Sequence, residues 1–269
     1  MRKISCLFLL LLLLIVLAPR QLVFASSIQA YQDYLYQNDL YRQTLSGFET
    51  ARNEYRKYQS LASQADVLAK AKIFLEQRVN LLYTYLLFLN EKISENKGLS
   101  AAEKLKLEQY LRNEIVYLVN HRNAIQAINS LQEVSPVSQP FEKHYQTLSA
   151  VMHLVAFNIQ IGQLNDVAQL FTDALQQIQS LVGENRSAFT PEKLEQFDRW
   201  LVSIAEKQKL YQQLVTQIQD KINLLNLAKP LDAEDQIKQN QKKLLQAQVP
   251  LKDANNYFKE LINALKTVD

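Results

Sequence analysis

The sequence predicts an all-α fold, an elongated antiparallel multi-helix bundle of about six long helices with coiled-coil packing. Three observations carry this reading. No segment sustains period-two alternation, whereas apolar residues recur three and four apart along nearly the whole chain. Four glycines in 269 residues are too few for a fold built on tight turns or phosphate loops. The sparse breakers, Gly98, Pro136 to Pro140, Gly183 to Pro191 and Pro230, fall between the periodic runs.

The first element is not part of the bundle. Met1-Arg2-Lys3 is a short basic start, and Ile4 to Ala18 is an apolar run interrupted only by Ser5 and Cys6, closed by Pro19-Arg20. As a helix that run spans ~22 Å, short of the ~30 Å hydrocarbon core. Residues 1–25 therefore read as a secretory signal peptide, with cleavage after Ala25 and Val23 as the compact aliphatic residue at minus three. The alternative is an uncleaved anchor that recruits Leu22, Val23 and Phe24. Cys6 opens the apolar stretch instead of closing it, so it is no lipidation cysteine.

Helices are expected at 28–62, 65–96, 100–133, 139–182, 190–228 and 231–267. In the first, Tyr34, Tyr41, Phe48 and Tyr55 recur at sevens, extended by Leu45 and Ala62. The second carries Leu68, Leu75, Leu82 and Leu89 at sevens and a further face of Phe74, Leu81, Tyr85 and Phe88. Apolar on two sides, it is the expected central strut. The third opens on a capping box, Ser100 with Glu103. In the fourth, the stripe from Phe141 through Ile159 is out of register with the stripe from Leu164 through Leu181. Gly162 stands at the change with Asn165 available as a cap, which predicts a kink or a helix-turn-helix. The fifth begins at Thr190-Pro191 and holds an unbroken three-four seam: Leu194, Phe197, Leu201, Ile204, Gln208, Tyr211, Val215, Ile218, Ile222 and Leu225. A mean repeat of 3.5 predicts left-handed supercoiling. Pro250 is expected to kink or break the sixth.

Leu154, Gly162, Phe171, Ala174 and Leu175 fall at the spacing of leucine, glycine, aromatic and Ala-Leu in one tetratricopeptide unit, which this stretch resembles. Asn158 and Val167 stand where that family has an aromatic and an alanine, and no neighbouring window repeats the pattern. Such arrays need several units to bury their faces, so the match implies no repeat fold.

Removing residues 1–25 takes away Arg2, Lys3 and Arg20, the only cysteine and no acid, which leaves equal numbers of basic and acidic residues. A neutral body with interspersed signs has no electrostatic footprint for nucleic acid and no polybasic patch for anionic lipid. Contact with a membrane is expected only through the N-terminal segment, if uncleaved. With no disulfide available, apolar burial alone holds the exported chain. One domain, 26–269, is expected, with two three-helix halves, 28–134 and 138–268, as its alternative division.

Chemistry-bearing motifs are scarce. His144 and His153 lie on opposite faces of one helix, no Glu-x-x-His pair exists, and no GxSxG turn or paired-glycine phosphate loop is present. The sequence therefore predicts no catalytic residue, no metal site, no cofactor and no enzyme. His153, among Met152, Leu154 and Val155, reads as a core histidine, and Asn158 as a buried polar group selecting register.

The expected interaction face is the tyrosine-rich first helix: Tyr31, Tyr34, Tyr36, Tyr41, Tyr55 and Tyr58, six of the thirteen tyrosines. The rings at sevens suit a core seam, whereas Tyr36 and Tyr58 fall off the stripe and suit an interface. The leading expectation is an exported, non-enzymatic scaffold at or outside the cell envelope, secreted, periplasmic or on the cell surface, that binds a protein partner or a second copy of itself through helix faces. The alternative is a binding module for a small ligand or cell-wall sugar, with an interhelical pocket near Tyr85, His153 and Asn158.

Overall fold

The computed structural model describes residues 26–266. The segment read above as a signal peptide, 1–25, lies outside the described residues. Six α-helices pack into an all-α bundle: α1 Ser27–Tyr58, α2 Leu61–Glu95, α3 Ala101–Gln126, α4 Leu131–Glu184, α5 Pro191–Asn223 and α6 Pro230–Lys266. A single 3-10 turn, Arg186–Ala188, precedes α5.

Local chemistry sets the boundaries. α1 ends four residues earlier than its pattern suggests, because Gln59 adopts the left-handed region at φ 47° and Ser60 starts α2 with a capping box to Ser63. Ser100 and Glu103 cap α3 reciprocally, and Thr190 accepts from the Lys193 N–H ahead of α5. The loop expected at Pro136 to Pro140 lies instead inside α4, which starts at Leu131, where Glu133 accepts from Asn129 and Ser130. Both prolines face solvent, so water reaches the carbonyls that their missing N–H groups leave free. Pro250 does not break α6. Its ring is buried beside Leu251 in the seam, which offsets the lost backbone bond.

Neighbouring helices alternate in direction. Arg78 pairs with Glu142 and Asn96 bonds the Ile159 carbonyl, so α2 and α4 run parallel, with α3 antiparallel between them in sequence. α1 returns along α2, and α5 and α6 pair along their lengths. One apolar cluster joins α2, α3 and the first half of α4 around Leu86, Leu118, Phe141 and Leu148. Two more join the second half of α4 to α5 and α6, around Phe157, Tyr211 and Leu244, and around Phe197, Ala254 and Leu261. The shared strut is therefore α4, not α2. Its 54 residues span ~80 Å without interruption.

This corrects the helix-turn-helix reading of Gly162. A stripe that changes phase in an unbroken helix has changed neighbours: Leu148, Val151, Val155 and Ile159 face the first cluster, while Leu154, Phe157 and Ile161 face the second. Gly162 is needed because the α2–α3 loop crosses α4 there. A Cβ on Gly98 would lie 1.8 Å from the Gly162 carbonyl oxygen, and one on Gly162 would lie 2.4 Å from Asn96 Oδ1. Asn165 caps nothing; it accepts from the Tyr211 hydroxyl at 2.8 Å and so ties α5 to this crossing.

The α5 seam follows its pattern. Phe197, Leu201, Ile204, Gln208, Tyr211, Val215, Ile218 and Ile222 are its buried residues. A matching three-four seam on α6, Ala233, Ile237, Asn240, Leu244, Ala247, Leu251, Ala254, Phe258 and Leu261, meets it. Among the described residues no helix is long and apolar enough to cross a membrane.

Candidate functional site

α1 packs appreciably against α2 alone. Of its 32 residues only Ser27, Ala30 and Ala51 are buried. Its tyrosines divide by direction. Tyr34, Tyr41 and Tyr55 are half-buried toward α2, with Tyr34 on Tyr85 at 5.1 Å and Tyr41 on Phe74 at 5.5 Å between ring centres. Tyr31, Tyr34, Tyr85 and Phe88 form a closed ring of four aromatic contacts. Burial, and secondarily the Tyr34 phenol, push the Tyr85 hydroxyl above the usual tyrosine range. Tyr36 and Tyr58 are each 62% exposed and Tyr31 45%. Ile28 and Leu35 join Tyr31 on one exposed stripe, spaced three and four apart. A staple fixes the start of this helix: the Glu95 carboxylate accepts from the Ser27 N–H at 2.9 Å and from its hydroxyl at 2.6 Å, which holds that carboxyl below the usual range.

The proposed pocket residues do not converge. Tyr85 faces α1. His153 is exposed rather than buried, its Nδ1 3.6 Å from Glu234 on α6. Asn158 is half-buried, donates to the Leu154 carbonyl of its own helix, and lines a 40 Å³ space with Leu107, Tyr110 and Ile222. That volume suits water and is far below a sugar ring. These residues failed as a set because three and four spacing ranks positions on one helix and says nothing of which neighbour each face meets.

The buried histidine is His121, which sequence reasoning left without a role. It stacks on Phe141 at 4.6 Å, and the Arg78 guanidinium lies over the same ring at 4.1 Å. Burial first, and Arg78 second, hold its pKa down at about 4. His144 stacks on Tyr117 at 3.6 Å and shares a 2.7 Å hydrogen bond with the buried Glu114. Two imidazoles, two rings and two charged groups thus join α2, α3 and α4. Each has a packing partner, and no hydroxyl is hydrogen-bonded to either imidazole as nucleophilic catalysis requires. Among the described residues no cluster of three or more His, Cys, Asp or Glu side chains is placed to hold a metal.

One open cleft lies between α1, α2 and α4. It has a volume of 290 Å³ and is lined by Tyr41, Leu81, Leu82, Phe141 and Tyr145 with the Arg78–Glu142 pair at its edge. Compared with known proteins, the chain matches no protein-family model, no curated protein and no solved structure.

Proposed function

We propose that this chain is an exported, non-enzymatic helical scaffold that acts at or outside the cell envelope by presenting α1 to another protein. One observation supports the reading above the rest. A helix of 32 residues leans on a single neighbour and keeps Ile28, Tyr31 and Leu35 in solvent on one stripe. A rigid aromatic and aliphatic surface of this kind suits protein recognition, since little side-chain entropy is lost when it is covered.

A photo-activated cross-linker placed at Leu35 in intact cells, combined with N-terminal sequencing of the isolated chain, tests both parts. The expected result is a protein adduct at that position and a first residue of Ser26. A chain that keeps Met1 in the cytoplasm, or that yields no adduct from Leu35, overturns the reading.

The cleft between α1 and α4 favours the second reading, a module for a small ligand or cell-wall sugar. Its rings and its Arg–Glu pair combine an apolar wall with polar groups, as sugar sites do. Saccharide titration followed by nuclear magnetic resonance, with Tyr145→Ala as the control, decides it.

A further inference from the structure

We infer that the outward face of α1 is a two-fold interface with a second copy of this chain, the two α1 helices packing antiparallel. The inference rests on the proposed function, because it names the partner of the same face.

The charge pattern of α1 selects this occupant. From Ser27 to Tyr41 the helix holds two acids, Asp33 and Asp39, and no base. From Arg42 to Tyr58 it holds four bases and two acids. A helix that is acidic in its first half and basic in its second attracts an identical helix only when the two run in opposite directions. Each acidic half then faces a basic half, and the two helix dipoles oppose. Two-fold symmetry makes the match twice over, since the same patch serves both copies.

The stripe itself is regular. Ile28, Tyr31 and Leu35 continue at three-four spacing through Asn38, Arg42 and Leu45 to Glu49, next to the seam that meets α2. Two antiparallel α1 helices shifted two residues from full overlap, so that residues 29–58 of each coincide, set Asn38 opposite Glu49, Arg42 opposite Leu45 and Tyr31 opposite Arg56. Arginine stems then cover leucine, and a guanidinium meets a tyrosine ring. The overlap is ~45 Å long, and the eight stripe residues a side within it, from Tyr31 on to Arg52 and Arg56, bury roughly 1,100 Å² in all, near the lower edge of interfaces that persist in solution. Once the N-terminal 25 residues are removed the chain carries equal numbers of both signs, so no net repulsion opposes the pairing.

Sedimentation equilibrium on the purified protein, with its N-terminal segment as the cell leaves it, is the test. The expected result is a monomer–dimer equilibrium with a dissociation constant of roughly 10–100 µM that weakens as salt rises. Leu35→Lys, which sets a second cation against Arg52 of the other copy, should raise that constant at least tenfold with helicity unchanged, and Tyr36→Ser, on another flank of α1, should leave it alone. Asn38→Cys with Glu49→Cys, Cys6→Ser being added if the segment is retained, should form a covalent dimer on mild oxidation. A protein that stays monomeric at ~200 µM, or a dimer indifferent to Leu35→Lys, overturns the inference. A cross-link from Leu35 to a different protein then refutes self-pairing while keeping the docking face, whereas no adduct at all removes both.

Discussion

Replacing Gly98 by alanine tests the crossing on which the two bundles meet. The new methyl group would stand 1.8 Å from the Gly162 carbonyl oxygen, 2.6 Å from the Asp166 nitrogen and 2.8 Å from the Gly162 carbonyl carbon. All three are backbone atoms of α4, so no side chain can swing aside. The loop must withdraw by more than about 1 Å, at a cost of ~1–3 kcal/mol for overpacking. Withdrawal pulls the buried Asn96 amide off the Ile159 carbonyl, now 2.8 Å away, and an unsatisfied buried donor costs a further ~1–3 kcal/mol. The expected loss is about 3 kcal/mol, a fall of about 6–12 °C in melting temperature for a chain of this size. Far-ultraviolet circular dichroism during thermal and guanidinium unfolding measures it. Gly47, mid-helix in α1, has nothing within 4 Å of its Cβ position, so Gly47→Ala should stabilise by about 0.5–1 kcal/mol. A Gly98→Ala protein within about 1 kcal/mol of wild type would refute the claim that close approach at this point holds the bundles together.

Three further outcomes follow from single groups. His121 is buried neutral with a pKa near 4, below its unfolded value of about 6.5, so the unfolded chain binds the extra proton between those pH values. Stability is complete above that window and falls by up to about 3 kcal/mol as pH drops through it, a slope that His121→Leu should flatten in unfolding titrations. Glu95 is shifted the other way: bonding to Ser27 lowers its pKa, so its contribution is present above the unfolded carboxylate range and lost as pH falls through the folded value. Glu95→Gln should therefore speed hydrogen exchange in the first turns of α1 at neutral pH, and unchanged rates would show the staple to be idle. Gln208 is buried in the α5 seam with its Nε2 unpartnered, so Gln208→Leu should raise the unfolding free energy by about 1–2 kcal/mol, read as a higher denaturant midpoint.

Where one face of a helix meets one neighbour, the pattern was enough. The eight buried residues of α5, from Phe197 to Ile222, are the inner eight of the seam read from spacing alone. Local capping was equally plain at Ser100 and Thr190 because the cap and its partner are three residues apart. The failures share a cause. In α4, thirteen residues from Ala150 to Gly162 are apolar on two sides, and a shift of stripe was read as a turn between two helices because nothing in the pattern counts neighbours. Gly162, Asn165 and Asn96 act through contacts 63 to 67 residues apart in sequence or closer to α5, beyond any local period. In α1 the division was legible in part: Tyr36 and Tyr58, off the repeat, are the most exposed rings, with Tyr31 exposed beside them. Nothing in the spacing announced that α1 would have one neighbour only.

An unbroken α4 makes the pairing of α1 measurable at long range. α4 runs from Leu131 to Glu184 without a break, so one helix carries the packing on both sides of the crossing. α1 lies wholly along the first bundle, and the tip at Glu184 stands ~33 Å beyond Gly162. Two copies joined by antiparallel α1 helices overlap only over that first bundle and send their second bundles in opposite directions. The maximum dimension in small-angle X-ray scattering should then rise from ~85 Å for the monomer to roughly 115 Å for the dimer. A parallel pair, whichever face forms it, would thicken the particle at nearly constant length. A dimer no longer than its monomer therefore excludes the antiparallel arrangement even where its mass is double.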